Sequence, residues 1–314
     1  MSNKVKYCDY YYQVAEHGCK LSLPASVEPH NLIPSGEPFR VQPTSDDLVI
    51  CSMTVHDEKW QNDAHEHFVL LNHAEELLDA QVWIYESESA YLIKHCYDSG
   101  KFICHLFCNK DFSESKAFVP LDNCYSGLAM TCMFMIAFSQ TAVLHNTVLV
   151  HASVVVNEQT GYAFLGKSGT GKSTHSRLWL KNIPGTWLLN DDNPAVRVGD
   201  DGAVYIYGTP WSGKTPCYKN EKVVLGAFVK LVQAPVNEIY RLDGLNAFSG
   251  LLPSCSSMRW NKKLYNALCD ILERIIGKVQ AFKLNCLPDD QAAILSYNTI
   301  NINTKELQKT EEDE

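Results

Sequence analysis

The residues with the strongest chemical character stand together in the middle of the chain. Gly166-Lys167-Ser168-Gly169-Thr170-Gly171-Lys172-Ser173 fits the phosphate-binding pattern G-x-x-x-x-G-K-[ST] at every fixed position. Glycines let the backbone turn tightly and aim several N–H groups at one point, and a helix opening there adds a partial positive charge. In such a loop Lys172 reaches the β- and γ-phosphates of a nucleotide and the Ser173 hydroxyl faces a Mg²⁺ ion, with Thr174 continuing the cradle. About 20 residues further on, an apolar run ends in Asn190-Asp191-Asp192-Asn193-Pro194. A carboxylate at a strand tip, at this distance from the lysine, is what phosphate-loop enzymes use to hold Mg²⁺. Two adjacent carboxylates can divide the labour, one on the metal with Ser173 and the other facing an attacking hydroxyl.

Two further groups are candidates for the acceptor side. Gly208-Thr-Pro-Trp-Ser-Gly-Lys214 is a glycine-bracketed loop; Ser212 and Lys214 can shape an acceptor pocket, or the loop is a turn with Trp211 packed in the core. Arg259 can clamp a phosphate through its planar fork, or lie on the surface.

These side chains need elements to position them. Residues 162–165 read as a short buried strand entering the loop, and a helix opens at Gly171 or Lys172 and continues through Ser176-Arg-Leu-Trp-Leu-Lys181. A strand over 147–156 leads up to the loop, and a second one, beginning at 186–189, ends in the acidic pair. Residues 196–198 and 203–207 form a hairpin around Gly199-Asp-Asp-Gly202. A buried strand covers 223–232. The spacing of Leu264, Leu268, Ile271, Leu272 and Ile275 predicts an amphipathic helix over 261–278.

Ahead of this region, residues 1–120 carry strand-like runs at 7–14, 48–55, 67–71, 81–85, 91–97 and 101–108, separated by turn-rich segments. They predict a smaller, mostly antiparallel β domain, whose role the residues do not identify. The stretch 128–138 is apolar all round, and no Asp, Glu, Lys or Arg falls between Asp122 and Glu158. Ser126, Thr131, Ser139 and Gln140 interrupt it and no basic flank marks either end, so it is read as a helix buried between two layers and not as a membrane span. Residues 304–314 are acidic and without apolar anchors, and read as a disordered tail.

The totals limit the function class. A chain of 314 residues, 46% hydrophobic and 20% charged, is ordinary for a globular protein with a large core, and a formal charge of −9 argues against a nucleic-acid partner. Twelve cysteines include no C-x-x-C pair, and most stand singly in apolar runs as buried thiols. With no apolar leader at the N-terminus, a reducing, cytoplasmic location is expected.

The series His151-Ala-Ser, Gly166 to Ser173 and Asn190-Asp191-Asp192 resembles the catalytic domain of bacterial HPr kinase/phosphorylase and its relatives. It is also similar to the nucleotide-binding part of ATP-dependent phosphoenolpyruvate carboxykinase, which shares that fold. The resemblance covers about 145–215 in motifs and implies a catalytic domain over 121–303. It implies a mixed α+β, phosphoenolpyruvate carboxykinase-like phosphate-loop fold whose twisted mixed sheet has helices beside it. It also implies a catalytic set of Lys172, Asp191, Asp192 and His151, with the histidine near metal and acceptor, and ATP and Mg²⁺ as cofactors. Ala152 stands where HPr kinases have glycine, Thr174 where they have glutamate, and their basic signature after the acidic pair is missing, which points away from HPr as the acceptor.

The expected function is therefore an ATP- and Mg²⁺-dependent kinase acting on a hydroxyl, such as a serine of a protein or peptide. The alternative is a nucleotide-binding sensor of the same fold that transfers no phosphate. Neither the acceptor nor assembly into a homo-oligomer is specified by these residues.

Overall fold

The computed structural model describes residues 5–43, 49–61, 67–77, 80–213 and 215–312, without the side chains of 73–77 and 302–312. Of the tail expected to be disordered at 304–314, residues 304–312 are described in backbone only and continue the last helix of the chain. The chain divides into two compact units, Met1–His145 and Asn146–Glu314. The sequence-based boundary at 120/121 lies earlier, because the apolar helix that follows it belongs to the first unit.

That first unit is built on one nine-stranded sheet. Its elements are β1 (Tyr7–Val14), β2 (His17–Pro24), the short α1 (Pro29–Leu32), β3 (Arg40–Val41), β4 (Val49–His56), β5 (Val69–Leu77), β6 (Ala80–Glu86), β7 (Ala90–Tyr97), β8 (Phe102–Asn109), β9 (Glu114–Phe118) and α2 (Ser126–Val143). The strand order is β3-β1-β2-β4-β9-β8-β7-β6-β5, antiparallel throughout except that β4 runs parallel to both β2 and β9. Alternation decides the facing: Phe102, Cys104, Leu106 and Cys108 of β8 are buried while Ile103, His105 and Phe107 are half-buried on the other face. β2 shows the same alternation in Cys19, Leu21 and Leu23, yet its hairpin turn gives no glycine or asparagine signal. Ala15 and Glu16 adopt the positive φ angles (50° and 65°) that such turns ordinarily assign to those residues.

Helix α2 packs on β4, β8, β9 and α1. Among the described residues it is the one helix long and apolar enough to cross a membrane, with 72% of it buried inside the fold. Its polar interruptions are satisfied within the protein. Thr131 Oγ1 donates to the Gly127 carbonyl at 2.8 Å and Thr141 Oγ1 to that of Ile50 at 3.1 Å.

The second unit contains β10 (Thr147–Leu149), β11 (Ala152–Asn157), β12 (Thr160–Leu165), α3 (Lys172–Asn182), β13 (Trp187–Asp192), β14 (Ala195–Val198), β15 (Val204–Tyr207), β16 (Lys222–Gln233), β17 (Glu238–Leu242), α4 (Leu245–Leu251), α5 (Lys262–Ile276), β18 (Gln280–Cys286) and α6 (Asp290–Glu312). Its nine strands form one mixed sheet in the order β10-β14-β15-β16-β12-β11-β13, with β18 pairing β16 and β17. β16 is parallel to β12 and β18; the other pairings are antiparallel. The protein is thus mixed α/β, with a mixed sheet and helices in each unit.

The core under α3 is made by Phe164, Trp179, Val229, Phe282 and Leu284. Trp179 is fully buried and its indole N–H donates to Ser296 Oγ of α6 at 2.9 Å, so the helix that follows the loop is locked to both sheet and neighbour. The single strand expected over 147–156 is in fact two. β10 pairs with β14, β11 with β12 and β13, and the change of partner falls at Val150-His151, whose amides donate to the carbonyls of Pro194 and Ser254.

Candidate functional site

Strand direction brings the chemistry-bearing residues to one sheet edge. β11 is antiparallel to both β12 and β13, so those two run the same way and end where β11 begins. Ala152 lies opposite Leu165 on one side and Asp192 on the other, and Leu165 pairs with Lys230 of β16. Gly166 therefore leaves β12, His151 enters β11, and Asp191 and Asp192 end β13 along one edge. Ser153 of β11 and Ser176 of α3 meet at 2.6 Å in the interior, tying the helix to this row.

The loop has the conformation its glycines allow. Gly169 (φ +79°) and Gly171 (φ +101°) occupy the left-handed region, which costs any other L-residue roughly 1–2 kcal/mol. Gly171 precedes the first turn of α3 and brings no side-chain cap, so it leaves the outward-pointing amides of that turn uncapped. Lys167, Ser168 and Gly169 form the exposed arm. Thr170 Oγ1 returns to the Lys167 carbonyl at 2.8 Å and braces the turn.

Lys172 lies almost buried under this loop, its Nζ donating to the carbonyls of Gly166 (2.9 Å) and Lys167 (3.4 Å). Burial lowers its pKa from the ordinary lysine value, and the nearby Asp192 and Asp191 charges oppose that shift. Ser173 Oγ donates to Asp191 Oδ1 at 2.9 Å, joining the loop hydroxyl to the first aspartate. Asp191 is 5% exposed, and its backbone carbonyl accepts from the Gly213 amide at 2.7 Å.

The second aspartate lives in a different place. Asp192 faces the opening, with 24% of its side chain exposed, and its Oδ1 lies 3.2 Å from His151 Nε2. Asn193 Nδ2 donates to its other oxygen at 2.7 Å. Neither contact reaches the loop hydroxyl. One carboxylate thus points into the cradle and its neighbour out toward the imidazole, as alternation along a strand requires.

Asn190 organises the turn, a role the sequence reading missed. It is fully buried; its Oδ1 accepts from the amides of Asp192 (3.2 Å) and Asn193 (3.1 Å), and its Nδ2 donates to Thr209 Oγ1 at 3.3 Å. An asparagine immediately before the acidic pair was the available signal, since this side chain can hold its own backbone two residues on.

The acceptor candidates separate. Ser212 comes to the site: it forms an isolated β-bridge with Asp192, and its hydroxyl donates to the Thr215 carbonyl at 2.6 Å. Beside it Trp211 is buried, as the reading of this loop as a turn with a core tryptophan expects. Lys214 lies outside the described residues. Arg259 donates to the Leu252 carbonyl at 3.0 Å and is exposed; its segment touches the site through the Ser254 carbonyl, which accepts from the His151 amide at 2.7 Å.

As donors, Ser173, Asp191 and Asp192 are all oxygen, the preference of a hard divalent ion such as Mg²⁺. Among the described residues no group of three or more His, Cys, Asp or Glu side chains forms a cage made of protein alone. Mg²⁺ needs none, because it takes one or two carboxylates and completes its shell with phosphate and water. No protein-family model matches the chain, and no curated protein matches it in sequence.

Proposed function

We propose that this chain is an ATP- and Mg²⁺-dependent phosphotransferase that moves the γ-phosphoryl group to a hydroxyl acceptor, and that its second unit is related in fold to HPr kinase/phosphorylase and ATP-dependent phosphoenolpyruvate carboxykinase. The observation that carries this reading is the 2.9 Å contact between Ser173 Oγ and Asp191 Oδ1, which joins the end of a phosphate loop to a buried carboxylate on the neighbouring strand edge.

In this reading the loop amides and Lys172 hold the β- and γ-phosphates, and Lys172 gives up its present carbonyl partners to do so. Ser173 and Asp191 would hold Mg²⁺, which when bound neutralises charge on the phosphates. Asp192, facing outward beside His151, accepts the proton of the attacking hydroxyl as the new oxygen–phosphorus bond forms and the bond to the leaving ADP oxygen breaks. His151 orients Asp192, and Ser212 borders the acceptor. The catalysis is mostly positioning and charge neutralisation.

The test is nucleotide binding and turnover in single variants. Lys172→Ala should lower both, Asp191→Asn should raise the Mg²⁺ concentration needed, and Asp192→Asn should cut turnover by about 10²–10⁴-fold with ATP affinity kept. Unchanged ATP affinity and hydrolysis in Lys172→Ala and Asp191→Asn would dismiss the site. Tight binding without labelled product, across a broad panel of hydroxyl acceptors and γ-labelled ATP, would turn the reading into that of a sensor.

A further inference from the structure

A second feature flanks the phosphate loop on the side away from the acidic pair. β12, β16 and β18 are parallel neighbours, with Leu165 opposite Lys230 and Gln233 opposite Cys286, so their carboxyl ends lie along one edge. Beyond those ends a cavity of about 600 Å³ opens, walled by Gly169 to Gly171, by Leu178 of α3, by Leu231 and Gln233 of β16, and by Cys286, Leu287 and Pro288. The α3 face turned to it is Thr174, His175 and Leu178, with Gly171 just before the helix, a spacing that lines one side of a helix. Its size is that of a small-ligand site, and apolar side chains with a few polar groups are what such sites show. Gln233 is already tied to the loop, its Nε2 donating to the Gly169 carbonyl at 3.3 Å.

We infer that this cavity takes the ribose and base of the nucleotide whose phosphates lie in the loop. The inference rests on the phosphotransferase reading, which fixes the polarity. Ser173 and Asp191 mark the end of the phosphate chain where transfer occurs, on the β13 side. The remainder of the nucleotide must leave the loop in the opposite direction, toward β16 and β18. There it meets the apolar walls formed by Leu178, Leu231 and Pro288, between which a flat heteroaromatic ring loses contact with water. Neither Asp191 nor Asp192 is among the residues lining it, so the cavity supplies affinity for the whole nucleotide without taking part in the chemistry.

Two measurements test this. Calorimetric titration of the full chain with Mg·ATP and with inorganic tripolyphosphate separates base from phosphate. Cys286→Trp, which fills the cavity from its rim, should weaken ATP by about tenfold or more while leaving tripolyphosphate within about twofold, and Lys172→Ala should weaken both. In the unaltered protein, ATP should slow alkylation of Cys286 as followed by peptide mass mapping. Tripolyphosphate should not, and the exposed Cys124 should react equally in every case. If Cys286→Trp weakens ATP no more than tripolyphosphate, or ATP leaves Cys286 as reactive as before, the cavity is not the base site although the loop still binds phosphate. If neither ligand binds, or Lys172→Ala changes nothing, the phosphotransferase reading itself falls, and the base site with it.

Discussion

Asp191 and Asp192 are adjacent in the chain and identical in chemistry, yet the strand sends one to a buried hydroxyl and the other to a half-exposed imidazole. Environment, not residue type, separates their contacts. The same principle governs histidines far from this site. His95 of β7 is fully buried, its Nε2 has no partner among the described residues and its Nδ1 lies 4.0 Å from Cys132 Sγ. Burial, with a smaller contribution from His105, pushes its pKa down to about 3, so it is neutral in the native protein at any ordinary pH. An unfolded histidine takes up a proton below about pH 6.5, so between there and the native value the unfolded chain binds more protons and stability falls as pH falls. At pH 5 this amounts to about 2 kcal/mol for such a group. His95→Phe should therefore match the unaltered protein in urea at pH 7.5 within about 1 kcal/mol and lose about 2 kcal/mol less on moving to pH 5. Equal acid sensitivity in the two proteins would show that His95 is not held neutral. Nothing in the sequence around His95 distinguishes it from half-buried His105 on the next strand, whose pKa burial lowers less, to about 4, because desolvation is set by what packs over the side chain.

Elements were legible where a local pattern is sufficient to form them. α5 is the clearest: Leu264, Leu268, Ile271, Leu272 and Ile275 are all buried on one face, and Asn261 Oδ1 accepts from the Leu264 amide at 3.2 Å as N-cap. Asn261→Ala should cost about 1 kcal/mol in chemical denaturation and leave nucleotide affinity untouched, since the cap bond goes to the helix's own first turn. A loss of ATP binding in that variant would tie α5 to the site. β12, the loop and α3 were equally readable, because glycine spacing and an apolar strand are local properties. The run 147–156 was not: its apolar residues are as continuous as those of one strand, and only the competing partners β14 and β13 split it at His151. β18 escaped for a related reason, since Gln280–Cys286 mixes polar and apolar residues and becomes a strand by pairing with β16 and β17.

On the scale of the molecule, each unit has its own mixed sheet, and the candidate site lies within Asn146–Glu314 alone. A ligand that binds only the folded form stabilises it by mass action. Mg·ATP at about a hundred times its dissociation constant should add about 2.7 kcal/mol. That corresponds to a rise of roughly 5–10 °C in the melting of a unit of this size, read by calorimetry. The rise should disappear in Lys172→Ala; an equal rise there would place nucleotide binding elsewhere. By itself the sequence determined the glycine loop, the strand before it, the helix after it and the existence of an acidic pair, because glycine conformation, hydroxyl and lysine spacing and apolar runs are written over a few consecutive residues. Only the tertiary structure decided that Asp191 meets Ser173 while Asp192 meets His151, that Asn190 holds their turn, and that a cavity opens beyond β16 and β18. Those facts follow from strand order and register, which join residues far apart in the chain by backbone pairing that no short stretch encodes.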